Sequence, residues 1–215
     1  MTPEIRLKHP FNFSVKSAVQ ATGVILHEEP SHRMNYIKLL NLLYMAEREL
    51  LLNHGHMITG DTFVSTHRGP VLDYCMELIY GEHSSSHIWY KYIEKDRTYL
   101  FLKKNPRNGN MSQFTTRLLQ NLVQKYQDFD EYDIYNVVCN FPEFVLPDKP
   151  KPNSWDKRLN SHDCSDRFYA KDLLIANINE QNKIDHILEE AAYHYQVGEM
   201  FKETERKMQK ENQNG

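Results

Sequence analysis

Hydrophobic residues recur at three- and four-residue spacing along much of the chain, which is the pattern of amphipathic helices. The most apolar stretch, residues 34–54, is hydrophobic on two adjacent faces, so we predict a buried central helix there. Gly55 should end this helix in a left-handed cap. Ser14, Ser112 and Asp130 are expected N-caps of three further helices. The other helices are predicted at residues 13–28, 69–81, 112–127, 130–140, 168–178 and 184–201.

Two segments have a pattern that favours extended structure. Residues 56–68 are rich in Thr and Val. Gly69-Pro70 then opens the next predicted helix, because proline suits a first helical turn. Residues 88–104 contain aromatic and aliphatic runs around Lys95-Asp96-Arg97, which predicts an antiparallel β-hairpin.

The ends of the chain and one internal stretch lack periodicity. Residues 1–12 are predicted to form a loose arm, and the charged, amide-rich residues 202–215 a frayed tail. Four prolines interrupt residues 142–153. We therefore predict an α+β fold, predominantly helical, with one domain over residues 13–201 that includes a C-terminal helical extension.

Composition and charge exclude several classes of protein. The 215 residues carry a net charge of −3, which argues against a general nucleic-acid or membrane-surface binder. No run of eighteen apolar residues predicts a membrane-spanning helix, and the N-terminus lacks the apolar centre of a signal peptide. Three cysteines without close spacing favour a reducing compartment, so we expect a cytoplasmic protein.

Motifs for catalysis or metal binding are sparse. The chain has no glycine-rich phosphate loop and no H-E-x-x-H, C-x-x-C or G-x-S-x-G sequence. Histidines 54 and 56, histidines 83 and 87, and the His162–Cys164 pair have ligand-like spacing. Each pair lacks the further ligands that zinc requires, so we expect neither a metal nor a cofactor.

Arg48 and His54 form an R-x-x-x-x-x-H pattern that resembles the active-site pair of HEPN-type ribonucleases. That resemblance implies that the arginine stabilises phosphoryl charge while the histidine moves a proton. Glu49 adds a repelling charge beside such a phosphate. The alternative is that both residues are ordinary partners of the helix dipole.

Aromatic residues and nearby cations mark a second candidate surface. Tyr90, Tyr92, Tyr99 and Arg107 are candidate contacts for a protein partner, because interfaces favour tyrosine and arginine as anchors. The same region could stack single-stranded nucleic acid, but the negative net charge makes that less favourable. The alternative is that these side chains cover the core of the domain itself.

Four short blocks carry a family resemblance. They are IKLLNLLYMA at residues 37–46, ITGDTFV at residues 58–64, Gly69-Pro70-Val71, and Pro142-Glu143-Phe144. Together they resemble the Panacea, or SocA-like, domain, whose blocks read K-L-x-K-L-L-Y-x-A, G-P-V and P-E-W. Asn41 stands where the family has a basic residue, and Asn140-Phe141 where it has a histidine. The Gly-Pro-Val block is expected to determine the fold rather than to bind a ligand.

The resemblance implies an antitoxin that neutralises a cognate toxin by direct protein binding, without catalysis or cofactors. One branch of the family implies an alternative function, that of an adaptor that delivers its partner to an ATP-dependent protease. Two other functions also stay open: a transcriptional regulator, and the ribonuclease that uses Arg48 and His54. Homo-oligomerisation is possible on these grounds as well.

Overall fold

The computed structural model describes residues 8–66, 68–107, 109, 111–145 and 167–213. Most of the proline-rich stretch, and His162 with Cys164, lie outside the described residues. The helices are α1 (Val15–Glu28), α2 (Tyr36–His54), α3 (Asp73–Tyr80), α4 (Ser86–Trp89), α5 (Gln113–Lys125), α6 (Glu131–Val138), α7 (Ala170–Asn177) and α8 (Gln181–Gln213). The strands are β1 (Arg33–Asn35), β2 (Phe63–Thr66), β3 (Gly69–Leu72), β4 (Ile93–Asp96), β5 (Tyr99–Leu102) and β6 (Arg167–Phe168). The predicted α+β class, predominantly helical, is confirmed.

Helix α2 is the central element, as predicted, and most of its residues are buried. It begins two residues later than the predicted position 34, because Asn35 is its N-cap and accepts a hydrogen bond from the Ile37 amide. Met34 belongs instead to strand β1, which pairs with β5. Gly55 ends the helix in the left-handed conformation, as predicted.

The predicted hairpin is confirmed but is shorter than residues 88–104. Strands β4 and β5 pair in antiparallel register, with Asp96 opposite Tyr99, so the turn is Arg97-Thr98 rather than Lys95-Asp96-Arg97. Trp89 lies in helix α4, where its side chain is fully buried in the core. Strand β1 extends the hairpin into a three-stranded sheet in the order β1-β5-β4.

The prediction that Gly69-Pro70 opens a helix is wrong. These residues form β3, which pairs with β2 so that Phe63 faces Leu72, and helix α3 starts only at Asp73. Pro70 is tolerated because β3 is the edge strand of the sheet order β3-β2-β6, so its missing amide hydrogen leaves no ladder bond unmade.

A similar correction applies to the start of the predicted helix at residues 168–178. Phe168 is in strand β6, opposite Phe63 of β2. The rings of Phe63 and Phe168 lie 5.2 Å apart, and both pack around Tyr44 of α2. Burial of this aromatic cluster outweighs the local helical pattern, and α7 starts at Ala170.

Helices α1, α5 and α6 begin directly after their predicted N-caps. Ser14, Ser112 and Asp130 each accept a hydrogen bond from an amide in the first turn of the following helix. Helix α8 packs on the domain through Ile184 and Leu188 and continues to Gln213, beyond the predicted end at residue 201. Glu, Lys, Gln, Met and Arg dominate that extension, and all have high helix propensity. The proposed limits of the domain, residues 13 and 201, stay predictions. None of the helices in the described part of the chain is both long and apolar enough to cross a bilayer.

Residues 8–12 are better anchored than the predicted loose arm, since His9 is fully buried. The arm passes directly over Gly60, which has a φ of +67°. A Cβ at Gly60 would collide with the backbone carbonyl of Asn12. This position therefore requires glycine both for its dihedral angle and for the close approach of two backbones.

Replacing Gly60 with alanine should lower the free energy of unfolding by about 2 kcal/mol or more, because the left-handed strain of about 1–2 kcal/mol adds to the collision. Gly109→Ala is the matched control, because its Cβ would meet nothing within 4 Å. We expect the control to change stability by less than about 0.5 kcal/mol. Urea denaturation of both variants is the measurement, and equal midpoints would contradict this account.

Candidate functional site

The carboxylate of Glu143, in the Pro-Glu-Phe block, is the centre of a buried polar cluster. Its side chain is 1% exposed. Oε1 accepts hydrogen bonds from the Tyr44 hydroxyl at 2.5 Å and from Arg48 Nε at 2.7 Å. Oε2 accepts from Asn177 Nδ2 at 2.8 Å. Glu143 thus joins the Pro-Glu-Phe block to helices α2 and α7. Burial, together with the Glu143 charge, raises the pKa of Tyr44 well above its usual value.

Arg48 completes this cluster from the surface side. It also donates to the side-chain oxygen of Asn177, and its guanidinium carbon lies 4.1 Å from the centre of the Phe141 ring. A cation over an aromatic face is stabilising, and more so when it is partly withdrawn from water. Phe141, one of the departures from the family pattern, therefore packs on the arginine.

The structure assigns Arg48 and His54 to different surroundings. Residues six apart on a helix point about 120° apart. Arg48 faces Glu143, whereas His54 is exposed and its ring lies 4.9 Å from that of Phe114 on α5. A guanidinium paired with a buried carboxylate does not present its charge to a phosphate. The geometry therefore does not support the ribonuclease pair.

Glu47, the neighbour of Arg48, points about 100° away from it around the helix. Its side chain faces the segment at Ile58 and Thr59 and is fully buried. Its carboxylate accepts hydrogen bonds from the amides of Ile58 and Thr59 at 2.5 and 2.7 Å, and from the Thr59 hydroxyl. Burial raises the pKa of this carboxyl, while these donors oppose the rise. The helix therefore holds the Ile-Thr-Gly-Asp block through its backbone.

Asp61, in the Ile-Thr-Gly-Asp part of the block at residues 58–64, caps helix α3, which begins twelve residues later. Its two oxygens accept from the amides of Tyr74 and Cys75, in the first turn of α3, at 2.9 and 2.8 Å. Leu72, the residue before α3, provides no side-chain cap. Burial raises the pKa of Asp61 to about 8, and that of the adjacent Cys75 thiol well above its usual value. A thiol that is hard to ionise is a poor nucleophile, so Cys75 is a packing residue.

The polar residues of the sequence blocks thus hold one scaffold together. The family model described as "Antitoxin SocA-like, Panacea domain" matches residues 39–143, and its last matched residue is Glu143. The chain carries a Panacea domain. No curated protein and no solved structure matches the chain.

Two further buried polar residues of α2 in the Panacea domain region, Lys38 and Asn41, donate hydrogen bonds to backbone carbonyls of other segments. The ammonium of Lys38 donates to the carbonyl oxygens of Gln127 and Phe129, at 3.2 and 2.6 Å, beyond the end of α5. Burial lowers its pKa, while nearby carboxylates oppose this. Asn41, the second departure from the family pattern, is fully buried and donates to the carbonyl of Arg68 at 3.4 Å.

His9 connects the N-terminal arm to the Panacea domain and to α7. Its Nε2 lies 3.1 Å from the Gly60 carbonyl, and its Nδ1 lies 3.4 Å from the Ala170 amide. A carbonyl only accepts and an amide only donates, so the ring is neutral, with its hydrogen on Nε2. Burial accordingly lowers the pKa of His9 from 6.5 to about 4.

The four predicted partner contacts do not form one site. Tyr90 caps α4 and donates to the carbonyl of Ile79, and Tyr92 is half-buried against the core. Tyr99 lies on the outer face of the hairpin sheet, where the guanidinium of Arg33 stacks on it. Arg107 is exposed in a loop beside a cavity of about 160 Å³ between α1 and α5. A role for all four in partner binding stays a prediction.

Sequence reasoning missed the partners of the buried charges. A charged residue inside an apolar helix needs a compensating group, and Glu47 and Arg48 both carried this signal. The signal cannot identify the partner, because Glu143 and Asn177 are 95 and 129 residues away from Arg48. Among the described residues, no three His, Cys, Asp or Glu side chains are arranged to hold a metal ion.

Arg48→Ala should lower the free energy of unfolding by about 3 kcal/mol, because it leaves a buried carboxylate without its counter-charge. His54→Ala, on the same helix but exposed, should change it by less than about 0.5 kcal/mol. Adding Glu143→Gln to Arg48→Ala removes the stranded charge and should recover part of the loss. Urea denaturation of the unaltered protein, Arg48→Ala, Glu143→Gln and the double variant gives the coupling between the two residues. Similar losses for Arg48→Ala and His54→Ala would refute the structural role.

Stability should also fall as the pH is lowered through the range between 6.5 and 4. In that range the unfolded chain protonates His9 and the folded chain does not, so the unfolded state gains protons and becomes favoured. The lowering of the His9 pKa from 6.5 to about 4 corresponds to a loss of about 3 kcal/mol in the free energy of unfolding as the pH falls through this range. His9→Gln keeps a donor and an acceptor without titrating. We therefore expect thermal or urea midpoints of the variant to fall less than those of the unaltered protein between pH 7 and pH 4.5; parallel curves would contradict the assignment.

Proposed function

We propose that this protein is an antitoxin that neutralises a partner toxin by direct protein–protein binding. The observation that carries the proposal is the match of residues 39–143 to the SocA-like antitoxin domain. The match implies a toxin partner, and we further propose that binding alone, without catalysis, inhibits that toxin.

The roles of the buried charged residues in and beside the sequence blocks support a binding protein. Glu47, Arg48, Asp61 and Glu143 all make internal contacts that hold helices and strands in place. These contacts leave the exposed side chains free to vary with the partner. Interfaces of standard size bury about 1,600 Å² and depend on a few aromatic and arginine anchors. Exposed rings such as Tyr90, Tyr99 and Tyr132 are available for that purpose.

Co-expression with the product of the neighbouring gene tests the proposal. Expressed alone, that product should arrest growth; co-expressed with this chain, growth should resume and the two proteins should copurify at fixed stoichiometry. The purified chain should also inhibit the purified toxin in the absence of any protease.

Other results would point to the alternatives. Growth rescue that requires an ATP-dependent protease, with no inhibition between purified proteins, would indicate an adaptor. Growth arrest by this chain alone, relieved by His54→Ala, would indicate the ribonuclease and overturn the proposal.

A further inference from the structure

Three aromatic side chains, on two segments that a side-chain hydrogen bond joins, are exposed to solvent to different extents. Tyr99 on β5 is 37% exposed, Phe129 before α6 is 38% exposed and Tyr132 in the first turn of α6 is 65% exposed. The backbone amide of Tyr132 donates a hydrogen bond to Asp130 Oδ1 in the N-cap of α6, but the Tyr132 ring is not part of the core. Exposed rings of this size are costly unless something covers them.

Internal contacts join these rings into one face. In the hairpin sheet, Arg33 of β1 stacks on Tyr99 at 4.1 Å and lies 5.6 Å from Phe101, so all three share the outer side of the sheet. Asn35 is the register partner of Tyr99 and donates to Glu131 Oε1 at 2.9 Å. That bond attaches the sheet directly to the first turn of α6. We call Arg33, Tyr99, Phe101, Phe129, Glu131 and Tyr132 the aromatic face.

Acidic side chains surround the aromatic face. Glu94 and Asp96 of β4 are the register partners of Phe101 and Tyr99. Near the start of α6 the chain adds exposed or half-exposed carboxylates at Asp128, Asp130, Glu131 and Asp133. Asp130 and Asp133 also form the capping box of α6, but their charges stay at the surface. The nearby cations are fewer: Arg33 stacks on the rings, Arg97 lies in the hairpin turn, Lys125 lies over the Tyr126 ring beside Phe129, and Lys38 is buried beneath the loop.

This combination identifies the kind of occupant. Aromatic anchors with a charged rim are the anatomy of a protein interface. The negative rim repels nucleic acid and acidic lipid surfaces and attracts a surface rich in Lys and Arg, since complementary charge steers association. A second copy of this chain would place the same acidic rim against itself.

We propose that the aromatic face is the toxin-docking surface and that the toxin presents a basic, Lys/Arg-rich surface to it. This inference rests on the proposed antitoxin function. Tyr132 and Phe129 enter the partner, and the carboxylates pair with its cations.

The test compares two tyrosines of equal exposure on two helices. Tyr132→Ala removes a ring of the aromatic face, and Tyr193→Ala removes a ring that is 64% exposed on α8. The probe is the purified product of the neighbouring gene, and its affinity for each form of the chain is measured by calorimetry. We expect Tyr132→Ala to weaken binding at least tenfold and Tyr193→Ala to change it less than twofold, with unchanged thermal midpoints for both variants.

Charge is tested by Asp128→Lys, which leaves the capping box intact. It should slow association several-fold at low salt, and the difference should shrink as ionic strength rises. Equal binding by Tyr132→Ala and Tyr193→Ala, or no salt dependence, would overturn the docking surface while leaving the antitoxin function standing. Loss of a dimer of the chain alone in Tyr132→Ala would instead make the face a self-interface and overturn the proposal. No binding by the unaltered chain would overturn the function itself, and with it this inference.

Discussion

The burial of most of α2 is the constraint on which the rest of the structure depends. A helix covered on most of its sides buries polar side chains as well as its leucines, and each such group needs a partner. Arg48 pairs with Glu143, Glu47 with the backbone at Ile58 and Thr59, and Lys38 with carbonyls beyond α5. Each pairing determines where a distant segment of the chain lies against the helix.

These pairings explain why the sequence blocks of the Panacea domain contain charged residues although the blocks lie in the core. Asp61 continues the same principle by capping α3 from the loop before β2. Removing one member of such a pair costs more than the pair contributes, because the other is left buried without a counter-charge. A scaffold built in this way tolerates little change inside and more change outside.

The outer surface follows a different rule. The aromatic face combines residues from β1, β5, α6 and the residue Phe129 before α6, and the Asn35–Glu131 hydrogen bond and the strand register bring these segments together. Of its rings, Phe101 is half-buried and Phe129 packs edge-on against the buried Tyr126, whereas the ring of Tyr132 is not part of the core that α2 organises. A surface with this independence could be altered for a new partner without loss of the fold.

The sequence by itself determined the local features: the helical periodicity of α2, its Gly55 cap, the N-caps Ser14 and Asp130, and the family resemblance. These depend on interactions within a few residues, which a linear pattern contains. Only the tertiary structure decided that Gly69-Pro70 is a strand, that Arg48 belongs to Glu143, and that Tyr132 stays outside. Such outcomes depend on which distant segments compete for the same buried surface, and that information is absent from local spacing.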